Sequence, residues 1–241
     1  MRDAEKVDSF QDASPLRVSL FSDLRITEIG IVFENQARAE GFRFIAGVDE
    51  VGRGCLAGPV VAAAACILDI EKPFPKGLND SKKLTPESRD QIAAQLKTDC
   101  IAYAVGRVEA DEIDRINILE ATKVAMLSAI ENLKPAADFL LIDALKLKGS
   151  TLPQRAIIKG DSLSASIAAA SILAKTYRDG LMKTYDAEYP QYGFASHKGY
   201  GASVHWKALQ QHGPCPLHRL TFRGVCEKKQ AQTLFMGMSI D

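Results

Sequence analysis

The 241-residue chain has no excess of charge of either sign: thirty Lys and Arg balance thirty Asp and Glu. No global field therefore draws in an anionic polymer, and any contact with nucleic acid has to rest on a local patch. Long hydrophobic runs are missing as well. The longest, Gly58 to Leu68, is too short to cross a bilayer and opens on Gly-Pro, and the start Met1-Arg-Asp-Ala-Glu-Lys lacks the apolar core of a secretory signal, so no membrane partner is expected. The five cysteines are few, odd in number and widely spaced, without a Cys-x-x-Cys pair or a His at metal-site spacing. That excludes a disulfide framework and a structural zinc site and fits a reducing, cytoplasmic location. What the chain does have, 46% hydrophobic and 25% charged residues, is enough to bury a core as one large domain or two small ones.

Residues 1–25 show no clean period and read as a poorly ordered extension or a short accessory helix. From Thr27 to Glu40, apolar Ile29, Val32, Phe33 and Ala37 recur at helical spacing, with Gly41 as a stop. Phe42 to Glu50 reads as a strand, Gly52 to Pro59 as a glycine-rich turn and Val60 to Leu68 as a second strand, together a hairpin. Thr85-Pro86-Glu87 opens a helix running to about Lys97, and Cys100 to Val108 is a further strand. Ile118 to Leu133 is a helix ending before Pro135. Phe139-Leu-Leu-Ile142 is a strand buried on both faces, Ala156 to Ile158 a short strand, and Ser164 to Lys183 a helix whose Ala and Ser would let it lie close to a sheet. Hairpin strands followed by alternating helices and strands predict an α/β layer fold with a mixed sheet.

Gly52-Arg-Gly54-Cys-Leu-Ala57 fits a loose dinucleotide fingerprint, but it leads through Gly58-Pro59 into a strand, whereas that fingerprint must open a helix. A second constellation is acidic: Asp49 and Glu50 close the first strand, Asp143 closes the strand before it, and Asp161 enters the Ala-rich helix. Each alone reads as a cap or a solvated strand end. Together, at the ends of neighbouring strands, they converge on one point where their charges repel, and hard divalent cations relieve that repulsion. Oxygen donors without His or Cys favour Mg²⁺ or Mn²⁺ over zinc, and a pair of such ions suits displacement at a phosphodiester. Neighbours on a strand face opposite ways, so Asp49 and Glu50 can serve one site only if the chain bends, as Gly52 and Gly54 would allow. His197-Lys198-Gly199-Tyr200-Gly201 offers a Tyr to stack on a sugar and a Lys for a phosphate, and Lys82, Lys83, Lys146, Lys148, Lys159 and Lys175 can supply the local patch.

Several of these segments, in order from about residue 30 to 225, jointly resemble the ribonuclease HII family: Ala46-Gly-Val-Asp49-Glu50-Val-Gly52-Arg53-Gly54, Asn79-Asp-Ser-Lys82-Lys83-Leu84, Leu141-Ile-Asp143-Ala144, Ile158-Lys-Gly-Asp161-Ser162 running into Ser166 to Lys175, and His197-Lys-Gly-Tyr200. The resemblance implies an RNase H-like fold, a mixed five-stranded sheet flanked by helices with a helical C-terminal region, in a catalytic domain spanning residues 26–226. It implies an endonuclease that cuts the RNA strand of RNA/DNA hybrids and 5′ of single ribonucleotides in duplex DNA, leaving 3′-hydroxyl and 5′-phosphate ends. Asp49, Glu50, Asp143 and Asp161 would hold the divalent metal, Mn²⁺ or Mg²⁺. Gly52, Arg53 and Gly54 would read the 2′-hydroxyl through backbone groups, and Tyr200 would sit against the sugar. Lys82, Lys198 and Arg219 are candidates for phosphate contacts. The acids alone also suit a nuclease acting on branched DNA, or a metal-dependent binding module without turnover. In the tail, 227–241, Gln230-Ala-Gln-Thr-Leu234-Phe235 looks like the short peptides that bind a sliding clamp.

Overall fold

The computed structural model describes residues 28–226 apart from 63–65, 70, 71 and 74. The N-terminal extension and the clamp-like tail therefore lie outside the described residues. The chain runs through α1 (Val32–Ala39), β1 (Ile45–Val48), β2 (Glu50–Val51), β3 (Val60–Ala62), β4 (Cys66–Ile67), α2 (Pro86–Asp99) and β5 (Gly106–Val108). It continues through α3 (Ala110–Ile116), α4 (Ile118–Glu131), β6 (Phe139–Asp143), β7 (Gln154–Ile157), α5 (Ala165–Glu188), α6 (Phe194–His197) and α7 (Ser203–His212).

β6, apolar from Phe139 to Ile142 and closed by Asp143, occupies the centre, as expected of a strand covered on both faces, and pairs in parallel with β1 on one side and β7 on the other. The ladders run β4-β1-β6-β7 and β2-β3-β5. Only Asp49 separates β1 from β2, and β4 and β3 are their respective antiparallel partners. The seven segments thus combine parallel and antiparallel pairs, in the mixed arrangement the resemblance implies. Gly47 lies opposite Cys66 and Glu50 opposite Ala62, so three steps on one side match four on the other. The two registers thus differ by one residue across Asp49, ahead of the glycines expected to bend the chain.

Small residues set the layer spacing. A Cβ on Gly47 would fall 2.1 Å from the Ser166 carbonyl carbon, and one on Gly106 would fall 2.0 Å from the Ala125 oxygen, so α5 rests on β1 and α4 on β5 with backbone almost touching. Alternating burial places Ala46, Val48, Leu140 and Ile142 in a core with α4, while Leu141 and Ile167 pack on the other face. The N-terminus of α5 is capped twice. Its Ser164 hydroxyl accepts from Ile167 N, and the buried Glu34 of α1 accepts from Ser164 Oγ at 2.6 Å and Ser166 N at 2.9 Å.

Several expectations shift. The first helix starts at Val32 instead of Thr27, and the strand expected from Cys100 shrinks to β5. The helix expected from Ile118 is preceded by a second one, α3. Asn117, at φ 68, breaks the path between them and caps α4 by accepting from Leu119 N and Glu120 N. The strand placed at Ala156–Ile158 begins two residues earlier and leaves Ile158 78% exposed.

The C-terminal region is helical and gathers aromatic rings. His205 Nδ1 donates to the Tyr200 carbonyl at 2.8 Å, which leaves its Nε2 to accept from His218 Nε2 at 3.0 Å, while His218 Nδ1 accepts from Cys215 N at 3.0 Å. Both rings are buried and their partners fix them as neutral, so a proton on either would set two donors face to face. Burial, and then the His205 ring, lowers the His218 pKa to about 4. Between about 6.5 and 4 the unfolded chain binds a proton that the folded chain refuses, so stability is lost as pH falls through that window. Asp49, whose carboxyl is shifted upward, acts in the opposite sense. In an Asp49→Asn background, the urea unfolding free energy should drop by about 2 kcal/mol more between pH 7 and 5 than in the same background with His218→Asn, a comparison that cancels the raised carboxyls, and equal pH dependence in the two would contradict the neutral pair.

Candidate active site

The parallel register sets Val48 opposite Ile142, so Asp49 and Asp143 leave the C-terminal ends of adjacent strands side by side. Asp143 is in turn opposite Ile157 of β7, after which Lys159 takes φ 57 and a single 3-10 turn, Gly160–Ser162, carries Asp161 back toward β6. Gly160 N donates to Asp143 Oδ1 at 2.7 Å and locks this return. Ligand sites at the carboxyl ends of strands are the general outcome of such sheets.

Asp49, Glu50, Asp143, Gly52, Arg53, Gly54, Lys82 and Tyr200 line one cavity of about 260 Å³, with Ser81, Ser171 and Lys175 completing its wall. Asp161 stands at its edge, joined through Lys82 Nζ at 2.9 Å from Oδ2. Asp49 is 6% exposed; burial first, then the neighbouring Glu50 and Asp143 charges, push its pKa up to about 8. Glu50 and Asp143 are raised too, again chiefly by burial, with the Arg53 charge and the Gly160 N–H pulling each back. Three acids thus press on one another in a low-dielectric wall, the condition that a cation relieves.

The donors are all oxygen, which suits Mg²⁺ or Mn²⁺. Two of the acids already face cations of this chain: Glu50 meets Arg53 at 3.2 Å and Asp161 meets Lys82. Among the described residues no three His, Cys, Asp or Glu side chains are gathered closely enough to hold an ion as they stand. The donor chemistry of the four carboxylates suits a divalent ion, and they stand at or just past three neighbouring strand ends, with Glu50 and Asp161 facing cations of this chain.

The remaining expected residues divide. Tyr200 is 42% exposed in the cavity wall, its hydroxyl against the Cys55 thiol, and burial raises its pKa. Lys198 does not line the cavity; at φ 53 it turns its ammonium onto the Ala195 carbonyl, and burial lowers its pKa. Arg219 requires a correction. It is fully buried and donates to the Gly58 and Arg53 carbonyls, so its guanidinium is closed to any phosphate. Of the lysine patch, Lys82 and Lys175 reach the cavity, and Lys175 pairs there with Asp179 at 2.5 Å. Sequence reading did not single out Ser171, whose hydroxyl bonds Asp49 and lies 2.9 Å from Ser81 Oγ. Its signal was the helical step of four from Ser171 to Lys175, which sets both on one face of α5.

A mixed parallel and antiparallel sheet flanked by helices, with acids at the ends of its parallel strands, places the chain in the ribonuclease H-like class. Ribonuclease H2 from Pyrococcus horikoshii superposes with a TM-score of 0.64 at 27% identity, covering 76% of this chain and 95% of that one. The ribonuclease HII of Archaeoglobus fulgidus, solved in a complex with PCNA, shares the fold at a TM-score of 0.61 and 24% identity, over 78% of this chain and 99% of that one. Within that class, residues 46–225 match the family model of ribonuclease HII, and a ribonuclease HII from Chlamydia caviae is 57% identical over 195 residues, 80% of this chain and 91% of that protein. The chain belongs to the ribonuclease HII family.

Proposed function

We propose that this chain is a metal-dependent endoribonuclease that hydrolyses the RNA strand of RNA/DNA hybrids and incises 5′ of single ribonucleotides embedded in duplex DNA. One observation carries the reading: the acids at the strand ends share a single cavity with the Gly52-Arg53-Gly54 turn and Tyr200. A phosphodiester held at the acids thus has its sugar beside backbone groups that glycine leaves accessible. Asp49, Glu50, Asp143 and Asp161 would hold Mn²⁺ or Mg²⁺. When bound, such ions supply charge neutralisation and an activated water for in-line displacement, giving 3′-hydroxyl and 5′-phosphate ends.

The chain's own groups do the rest. The turn carrying Gly52 and Gly54 accepts and donates at the ribose 2′-hydroxyl, a group that only RNA presents. Tyr200 packs its ring against the sugar, with its backbone held by His205 and by the His197 carbonyl. Lys82, whose side chain is 78% exposed, reaches a phosphate once it leaves Asp161. Arg53, exposed beside Glu50, is released in the same way.

The test is a labelled DNA duplex holding one ribonucleotide, beside an RNA/DNA hybrid and an all-DNA duplex, with Mg²⁺, with Mn²⁺ and with chelator. Cutting 5′ of the ribonucleotide and along the hybrid, abolished by chelator, is expected. Cutting of branched DNA without regard to ribose, or binding without cutting, would overturn it.

We place the enzyme in the cytoplasm, on the cysteine usage of the sequence. The tail segment from Gln230 to Phe235 is proposed to dock in an apolar pocket of a sliding clamp. The full chain should bind a clamp at least tenfold more tightly than its Leu234→Ala/Phe235→Ala variant in surface plasmon resonance, the scale of losing two buried anchors; equal binding removes the idea.

A further inference from the structure

Arg178 and Arg219 are the two largest fully buried side chains among the described residues. Arg178, from α5, donates from Nε to the Pro59 carbonyl at 3.0 Å, from Nη2 to Ala57 at 3.0 Å and from Nη1 to Lys198 at 2.7 Å. Arg219 donates from Nη1 to the Arg53 carbonyl at 2.8 Å, and from Nε and Nη2 to Gly58 at 3.1 and 2.9 Å, with the Phe222 ring 5.0 Å away. Burying a guanidinium is costly even when its donors are satisfied, and a second one nearby adds repulsion, so general stability is a poor reason for this pair.

Their targets show what the pair does. Between them they hold the segment 53–59, which begins in the glycine turn, and the carbonyl of Lys198, two residues before Tyr200. Main-chain bonds run along the same seam: Leu56 N to Gly199 O at 2.8 Å, Gly58 N to Leu217 O at 2.8 Å and Arg219 N to Leu56 O at 2.9 Å. Gly52, at φ 87, lies directly on Arg178, where a Cβ would fall 2.2 Å from Nε. The floor of the turn is thus the Arg178 guanidinium itself, and the same group fixes the segment carrying Tyr200.

Resting on the reading that this turn and Tyr200 flank the ribose, we propose that Arg178 and Arg219 are positioning residues that set selectivity for ribose. They hold the glycine turn and the Tyr200 segment at one separation, so that the turn's backbone groups meet a 2′-hydroxyl while Tyr200 limits where the sugar can sit. Neither touches substrate. Lysine cannot replace them, because an ammonium donates from a single point and cannot span the Ala57, Pro59 and Lys198 carbonyls that Arg178 joins across two segments, or the Arg53 and Gly58 carbonyls that Arg219 joins within one.

The experiment measures fluorescence anisotropy in chelator, so that nothing is cut, with a duplex containing one ribonucleotide and the same duplex in all-DNA form. In Arg178→Lys the ratio of the two affinities should fall about tenfold, the scale of one misplaced charge-independent hydrogen bond at a buried contact, with a cooperative thermal transition retained. If Arg178→Lys does not fold, Arg219→Lys, which leaves the Arg178 bonds in place, carries the test. Folded variants that keep the wild-type ratio, including ones in which both affinities fall equally, would overturn the proposal. A wild-type chain without preference for the ribonucleotide duplex would instead overturn the ribose reading on which it rests.

Discussion

In chelator, the Asp49→Asn protein is expected to melt above the wild-type chain while cutting its substrate roughly 10³-fold more slowly or not at all when metal is restored. Both effects have one cause. Asp49 is buried beside Glu50 and Asp143, and a carboxylate there costs desolvation and repulsion that nothing in the metal-free chain fully offsets. Asparagine has the same shape and keeps an oxygen to accept from Glu50 N, a bond of 2.7 Å in the wild type. Removing the charge should stabilise the fold by about 1–3 kcal/mol, or about 2–12 °C at this chain length. Mn²⁺ should then raise the melting temperature of the wild type more than that of the variant, since only an ion bound to the folded state stabilises it. Calorimetry with and without Mn²⁺, beside the cleavage assay, checks this; a variant that melts lower, or cuts at an unchanged rate, would show that Asp49 is not a strained metal ligand.

Gly47→Ala is expected to have the largest effect on stability, about 3 kcal/mol or more. The new methyl would fall 2.1–2.4 Å from the Ser166 carbonyl and the Ile167 nitrogen. Those are backbone atoms at the doubly capped start of α5, so no side chain can swing aside; the helix must lift from β1. Lifting it also shifts Ser171, and with it the wall behind Asp49. A fall of roughly 6–12 °C in melting temperature should therefore accompany a loss of activity. Gly54→Ala is the control, since a Cβ there meets nothing within 4 Å. Equal melting temperatures for the two variants would contradict the close packing described.

The acids were legible because the sequence placed them at strand ends, and residues 139–142 announced a strand buried on both faces. The small residues of α5 likewise announced its approach to the sheet. Other features depend on tertiary contact, which periodicity does not report. The strand expected from Cys100 survives only where β5 finds β3, and α3 was hidden because its charged residues carry no clear apolar stripe. The step at Asp49 arises from two pairings made with different registers, and neither register is written in one strand alone. Arg219 looked like a surface cation because nothing local distinguishes an arginine that bonds carbonyls from one that awaits a phosphate.

Lys82 and Arg53, each on a site acid, offset part of the site's negative charge in the resting protein, and this has consequences for order of assembly. A divalent ion arriving at the acids competes with charges tethered to the same chain, so its apparent affinity includes the work of parting them. On the proposed reading, the displaced Lys82 and Arg53 would stay at the cavity mouth as free cations for an incoming polyanion. Metal and nucleic acid should therefore load cooperatively, each lowering the cost of the other's arrival, although the chain as a whole has no net charge to attract either.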